Sequence, residues 1–376
     1  MHFFRSYHLR SLFTRELFEI YFLLALRAFS IAMIGIFLPL YLFVEVGYTL
    51  NQVIYFYMVF VMCFGVAQFV ATKMVYKWGA KHSMILSVPL LMVALVFIIS
   101  LKTYPSLLYV PAILQGIQAG FFWMGFHIDA VVKGKKRNFG KESALIEVFN
   151  IGPHIIGPIV AGLIIKFFGF NTMYVATLFV LGVSFIPLLF SKEVYAKSGV
   201  NITSFFDKQH MKYFLGYFAQ GVGFIAGGVF WPLFIFATLG SYLSLGLYGT
   251  VATLAVCLLT LTIGKFSDKK GEKRFLIRFF AFFNAVFWLL KFYVTNVFQI
   301  YLVGTLRGIT SHGIDVPFLA KTYGQAKKRK AIGFILFRES MLRVGQMFAL
   351  VLVLIVGKLE VSFIAASIAS LFFLFF

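Results

Sequence analysis

"GKFSDKKGEK", residues 264–273, interrupts an apolar run with one acid, Asp268, and with Lys265, Lys269, Lys270 and Lys273. The spacing of Lys269, Gly271 and Lys273 recurs in "KWGAK" at 77–81 as Lys77, Gly79 and Lys81, displaced by 192 residues. The same displacement carries Lys135, Lys136 and Arg137 onto Lys327, Lys328 and Arg329, Glu147 onto Glu339, and His154 onto Gln346. Four matches at one displacement, each between corresponding apolar segments, mark an internal repeat.

The apolar segments are the second clue. Of 376 residues, 61% are hydrophobic and only 12% charged, about half the charge of a water-soluble domain. Runs of about twenty apolar residues cross a bilayer as helix. They fall near 19–44, 51–72, 83–101, 106–130, 142–166, 171–190, 212–238, 243–264, 275–294, 297–320, 331–357 and 360–376. The expected class is an all-α integral membrane protein of about twelve transmembrane helices in two six-helix, pseudo-symmetric halves. Residues 1–191 form the first bundle, 192–211 a polar linker, and 212–376 the second bundle. The first apolar stretch is too long for a signal-peptide core and reads as a retained span. The last is short and the chain ends within it on "LFFLFF", which leaves truncation open.

The cations orient the chain. The N-terminus and every second loop hold 26 Lys and Arg, whereas the opposite loops hold only Lys102, Lys166, Lys291 and Lys358. The positive-inside rule then places the N-terminus in the cytoplasm, with the protein in the cytoplasmic membrane. A net charge of +21 raises nucleic acid as a partner. Short basic clusters between apolar spans suit loops facing anionic lipid instead, so nucleic acid is excluded and the bilayer is the expected partner. Cys63 and Cys257 lie inside apolar segments and suggest neither a disulfide nor a metal site. No Gly-x-x-x-x-Gly-Lys-Ser/Thr loop is present, so ATP is not the direct energy source and no cofactor is expected.

With its topology, repeat and loop motif, the chain resembles the major facilitator superfamily of secondary transporters. Gly264, Asp268, Lys269, Gly271 and Lys273 match the family's loop motif, and Glu272 departs from one basic position. The first copy keeps Lys77, Gly79 and Lys81 but has Thr72, Tyr76 and Ala80 where Gly, Asp and a basic residue belong. The fifth span, "NIGPHIIGPIVAGLI", resembles the Gly-Pro-rich helix of the family's proton-driven exporters through Gly152, Gly157, Pro158 and Gly162; Pro153 and Ala161 depart from it. Plain helix packing by these small residues is the competing reading.

A charge inside a span is costly and marks a site by default. Arg27 lies in the first span, His127 and Asp129 in the fourth, Glu147 and His154 in the fifth. Arg307, His312 and Asp315 lie in the tenth, and Arg338, Glu339 and Arg343 in the eleventh; the third, sixth, ninth and twelfth carry none well inside. The resemblance implies that those four are outer supports, while the first, fourth, seventh and tenth line a cavity and the remaining four border the gap between halves. Glu147, Asn150 and His154 share one helical face, and Glu339, Arg343 and Gln346 share the symmetric one. A carboxylate raised by burial, or a His, can carry a coupling proton. Glu147 and His154, then Asp315 with His312, are the expected proton handlers. Arg27, Arg307 and Arg343 would hold carboxylates or bind an anionic substrate. Salt bridging between halves or along one helix is the bland alternative for Glu147, Glu339 and Arg343, and packing is that for His154.

The expected function is secondary active transport of a small solute by alternating access, proton-coupled, by a monomer that is not an enzyme, with a lean to drug or metabolite export. The rivals are proton-coupled uptake of a sugar, peptide or organic anion, and a non-transporting receptor or lipid-handling scaffold on the same fold. The resemblance also implies that the motif's Asp latches the outward-facing state on the cytoplasmic side, a role Asp268 can fill and Tyr76 cannot. Asp268→Asn should therefore shift the resting population toward inward-facing. Spin-label distances across the cytoplasmic gate report this, and an unchanged distribution refutes it.

Overall fold

The computed structural model describes residues 15–133, 152–190, 211–267, 272–328 and 331–376. Lipid offers no hydrogen-bond partners, so a spanning segment must satisfy its backbone internally, and helix does so within one segment. Every long element among the described residues is accordingly helical. In chain order they are α1 (Arg15–Gly35), α2 (Leu50–Trp78), α3 (Ala80–Ser100) and α4 (Tyr109–Lys133). The range Pro153–Phe190 is two helices, α5 and α6, broken at Gly169 by φ 82° and ψ 173°. A left-handed φ there costs glycine nothing, and so the chain reverses in a single residue. The second six are α7 (Phe214–Ile225), α8 (Tyr242–Ser267), α9 (Glu272–Leu290), α10 (Val297–Lys328), α11 (Ala331–Val356) and α12 (Val361–Leu371).

Among the described residues nine helical runs are long and apolar enough to cross a membrane, with the range around Gly169 counted once. Splitting that run and adding the shorter terminal helix and the charge-bearing α10 agrees with the expected twelve. The protein is thus a multi-pass α-helical membrane protein.

The packing repeats itself. In the first six helices α1 packs on α5 and α6, α2 on α4, and α3 on α4 and α6. In the second six α7 packs on α11 and α12, α8 on α10, and α9 on α10 and α12. The two sets meet along α2 with α11 and α5 with α8. Both α1 and α7 are interrupted near a proline. Past Gly35, α1 turns at Ile36–Phe37, then runs through Leu38–Leu40 and a π-turn at Tyr41–Glu45. Past Ile225, α7 has a π-turn at Ala226–Phe230 and continues as Trp231–Leu239. A proline removes the hydrogen bond to the carbonyl four residues earlier and clashes with it. That earlier residue is Gly35 for Pro39 and Gly228 for Pro232, a symmetric pair that the displacement of 192 misses by one residue.

The Gly-Pro-rich α5 serves packing. A side chain at Gly157 would meet Ala32 of α1 at 2.6 Å, and one at Gly162 would meet the Tyr242 backbone at 3.1 Å. Thr250 Oγ1 of α8 donates to the Ile155 carbonyl at 2.6 Å. At Gly79 the φ of 98° makes a one-residue turn between α2 and α3, which explains this glycine in the first loop motif. Of the second motif, Asp268, Lys269 and Gly271 lie outside the described residues, Gly264 sits near the end of α8, and Lys273 stands at the start of α9.

One expectation is corrected. Lys291, counted as a loop cation, is fully buried, with Nζ 3.7 Å from the Trp231 ring centre, 4.3 Å from that of Trp288 and 5.9 Å from that of Phe363. Three aromatic faces replace its water at the 3₁₀ turn Lys291–Tyr293 that follows α9.

A Cβ at Gly246 of α8 would lie 2.5 Å from the Pro158 carbonyl oxygen, which as backbone cannot swing away. Gly246→Val should cost about 1–3 kcal/mol by overpacking, visible as a lower melting midpoint in detergent. Gly324→Ala, where nothing lies within 4 Å, should leave it unchanged or higher.

Candidate functional site

A cavity of 610 Å³ lies between the two sets of helices. Its lining comes from α2, α4, α5, α7, α8, α10 and α11, and none from α3, α6, α9 or α12. The first six helices contribute an aromatic wall, Phe60 and Phe64 of α2 with Trp123 and Phe126 of α4, together with His127 and His154. The second six contribute most of the polarity: Gln220, Arg307, Ser311, His312 and Asp315, with Arg338, Glu339, Arg343 and Gln346 on α11. A smaller cavity of 220 Å³ adjoins it, shares Phe60, Phe224, Gly228 and Gln346, and reaches α1 at Gly35.

Toward its basic-loop face the large cavity is lined by a cluster around Glu339, which is 2% exposed. Glu339 Oε1 accepts from Arg338 Nη1, and Oε2 accepts from Arg343 Nη2 at 3.4 Å. His127 of α4 enters the same cluster, its Nε2 lying 3.0 Å from Arg338 Nη1 and 3.4 Å from Glu339 Oε1. A guanidinium only donates, so the closer contact makes Nε2 an acceptor and leaves Nδ1 to donate to Tyr323 Oη at 2.7 Å. Trp123 stacks on the imidazole at 5.4 Å, and the Arg343 guanidinium carbon lies 3.6 Å over the Phe64 ring. Gln68 Nε2 donates to Ser340 Oγ at 2.8 Å beside it. This cluster joins α2 and α4 to α10 and α11, and its buried carboxylate is matched by cations as burial requires.

Asp315 and Arg307 behave differently. Asp315 Oδ1 accepts from Gln220 Nε2 at 2.6 Å and Oδ2 from Ser311 Oγ at 3.2 Å, with no cation within ion-pair distance among the described residues. Arg307 has no carboxylate partner there, its Nε is buried without a hydrogen bond, and its guanidinium carbon lies 4.4 Å over the Trp288 ring. The glycines of the α7 π-turn make room for it, because a side chain at Gly227 would stand 3.1 Å from Arg307 Nη1. π-turns often mark functional positions.

Of the residues singled out in the sequence, His154, Arg307, His312, Asp315, Glu339, Arg343 and Gln346 are brought together at the large cavity. Glu339 and Arg343 do pair along α11. His312 does not bond Asp315; its Nδ1 meets the Gly308 carbonyl at 3.0 Å. Arg27 is held away from the cavity, its guanidinium carbon 3.3 Å over Phe122 and its Nη2 donating to Gln118 Oε1 at 3.0 Å. Glu147 and Asn150 lie outside the described residues. Gln220, Trp123 and Tyr323 were missed, since an uncharged polar or aromatic residue in a span carries no signal of its own. Lys291 did carry one, standing three residues after Trp288 on a helical face.

Two repeated sets of helices around a polar cavity define a class, the multi-pass carriers built from internal repeats. A family model described as Major Facilitator Superfamily matches residues 20–205. The chain belongs to the major facilitator superfamily. It is 25% identical over 279 residues to the uncharacterized protein YqgE of Bacillus subtilis (strain 168), a match spanning 69% of this chain and 63% of that relative. The structure is similar to that of the human organic anion transporter MFSD10 (TETRAN), with a TM-score of 0.70, 12% identity, and coverage of 96% of this chain and 99% of that one. A bacterial homologue of the iron transporter ferroportin in an outward-facing state gives a TM-score of 0.66, 14% identity, and coverage of 94% and 98%. At these identities the likeness is one of fold.

Glu339→Gln would leave Arg338 and Arg343 buried without a counter-charge, at a cost of about 3–5 kcal/mol. A large drop in melting midpoint should follow, and Glu339→Gln with Arg338→Met should recover part of it. If the single variant melts with the wild type, Glu339 is not what compensates these arginines.

Proposed function

We propose that this chain is a secondary active transporter that carries a small solute through the large cavity by alternating access. The observation that carries this reading is the pairing of a polar, titratable cavity with an ion cluster that lines one of its ends across the two sets of helices. An ion-paired bar can break and re-form as the sets rock, whereas a packed apolar plug of equal area holds them together. With the basic loops in the cytoplasm of a cytoplasmic-membrane protein, the barred end is the cytoplasmic one. Residues 1–191 and 212–376 are then the rocking units, 192–211 is their tether, and the working form is a monomer.

Protons are the coupling ion in this reading. His154, His312 and Asp315 line the cavity, and Glu147 lies seven residues before His154 in the sequence. Export of a drug or metabolite is the direction we favour, from the aromatic wall. Uptake is the second reading, favoured by Arg307, Arg338 and Arg343 at the cavity. One structural relative is an organic anion transporter and the other a homologue of an iron transporter, so cargo has to be argued from this cavity's own side chains.

Counterflow in proteoliposomes tests the class: exchange of a labelled solute is expected, and none across a broad panel would favour the scaffold alternative. Glu147→Gln should abolish accumulation driven by a pH gradient while sparing exchange at equal concentrations. Undiminished uphill transport in that variant removes Glu147 from the coupling step.

A further inference from the structure

The cavity holds two opposite charges that do not meet. Arg307 and Asp315 stand eight residues apart on α10, about 12 Å of helix rise. Both also line a recess of 20 Å³ behind the main cavity, together with Gln220 and Ser311. Neither forms an ion pair among the described residues. Unpaired charges inside a membrane protein are expensive, and two that share a cavity would ordinarily lean together. Each is instead held off by a neighbour, Arg307 by Trp288 and Asp315 by Gln220 and Ser311.

The remaining bonding capacity says what belongs between them. At one pole, Arg307 Nε is a donor with nothing to donate to, and Lys291 shares the Trp288 ring with an Nζ that also lacks a partner. That pole calls for an anion. At the other pole the amide of Gln220, 7% exposed, must present its NH₂ to Asp315, because a carboxylate only accepts. Its Oε1 is thereby fixed as an acceptor, and it has no donor. Ser311 Oγ spends its proton on Asp315 and keeps its lone pairs free. Asp315, Gln220 Oε1 and Ser311 Oγ are three acceptors at one spot, and an ammonium group has three donors. Facing both poles is the aromatic wall of Phe60, Phe64, Trp123 and Phe126.

From this geometry, and resting on the transporter reading above, we infer that the substrate is a zwitterion with an apolar or aromatic body, its carboxylate on Arg307 and its ammonium on Asp315, Gln220 and Ser311. Both side chains line one recess, so a free aromatic amino acid and a short peptide alike have this chemistry.

The test uses purified full-length protein and equilibrium binding of Gly-Phe-Gly, its N-acetyl form, its C-terminal amide, free Phe and 8-aminooctanoate. Gly-Phe-Gly should bind roughly tenfold to a hundredfold tighter than either capped form, the worth of one charge-assisted hydrogen bond, and free Phe should bind with it if one residue spans the poles. Binding of 8-aminooctanoate alongside it identifies charge separation as the determinant, while its failure assigns the site to amino acids and peptides. Asp315→Asn should erase the advantage over the N-acetyl form, and Arg307→Gln that over the amide. If the N-acetyl form binds as well as Gly-Phe-Gly to the wild type, the site takes an anion and the inference is overturned; so it is if none of the probes binds. The wild-type series stands without the variants should either misfold. Binding in this order with no counterflow would instead sink the transporter reading and leave the site intact. Counterflow of another solute, unaffected in both variants, would do the reverse.

Discussion

A carboxylate that leaves water for a low-dielectric interior must find cations, and in this protein Glu339 finds them on its own helix, in a cluster that crosses a seam. Arg338 and Arg343 come from its own helix, and His127 reaches it from α4. Because His127 contacts Arg338, Glu339 and Tyr323 together, the first and second sets of helices share one electrostatic cluster. Separating them exposes or unpairs several groups at once. The rest of the cavity depends on that bar, for it lines one end and aligns the arginines of α11 with the aromatic wall. Nearby, Gln68 and Ser340 tie α2 to α11 by a single neutral hydrogen bond, worth far less.

The division of labour between the two sets is unequal. Four of the five aromatic rings and two of the three imidazoles lining the cavity come from the first, while the carboxylates and guanidiniums all come from the second. The buried Arg27 of the first set stacks on Phe122 and donates to Gln118, although its Nε has no acceptor. A fold repeated in its helix contacts is therefore not repeated in its chemistry. Such asymmetry suits a site in which one wall binds by shape and the other by charge, since rocking then changes the wall's distance without unpairing the charges that recognise the cargo.

Much of the fold was legible because its signals are one-dimensional. Span length and charge alternation do not depend on which helices touch, and the displacement of 192 survives any packing. The charge-bearing positions of α10 and α11 were legible for the same reason, as any charge in a span announces itself. Their partners were not. Glu339 was readable as a partner of Arg343 one turn away, but its contact with His127 crosses more than two hundred residues and exists only in three dimensions. His312 and Asp315 show the opposite failure. Their spacing puts them on one face, yet His312 turns back to a backbone carbonyl and Asp315 takes Gln220 from α7. Lys291 was misread because a cation near a span end usually snorkels to water. Here Trp231, Trp288 and Phe363 enclose it, and two of those three come from other helices.

The broken helices α1 and α7 tie the recognition chemistry to motion. Pro39 and Pro232 each cancel one backbone hydrogen bond, and the residues they release, Gly35 and Gly228, have open space where a side chain would stand. Both glycines face a cavity, and Gly228 borders the large and small cavities alike. A helix lacking a backbone bond and a side chain at one level bends there at the least cost. On α7 that level is also where Gly227 gives way to the Arg307 guanidinium. Bending α7 would therefore move Gly227 against Arg307 and Gln220 against Asp315 together. Glu339 lines one end of the cavity with charge, and Gly228 with Pro232 gives the opposing wall a place to yield.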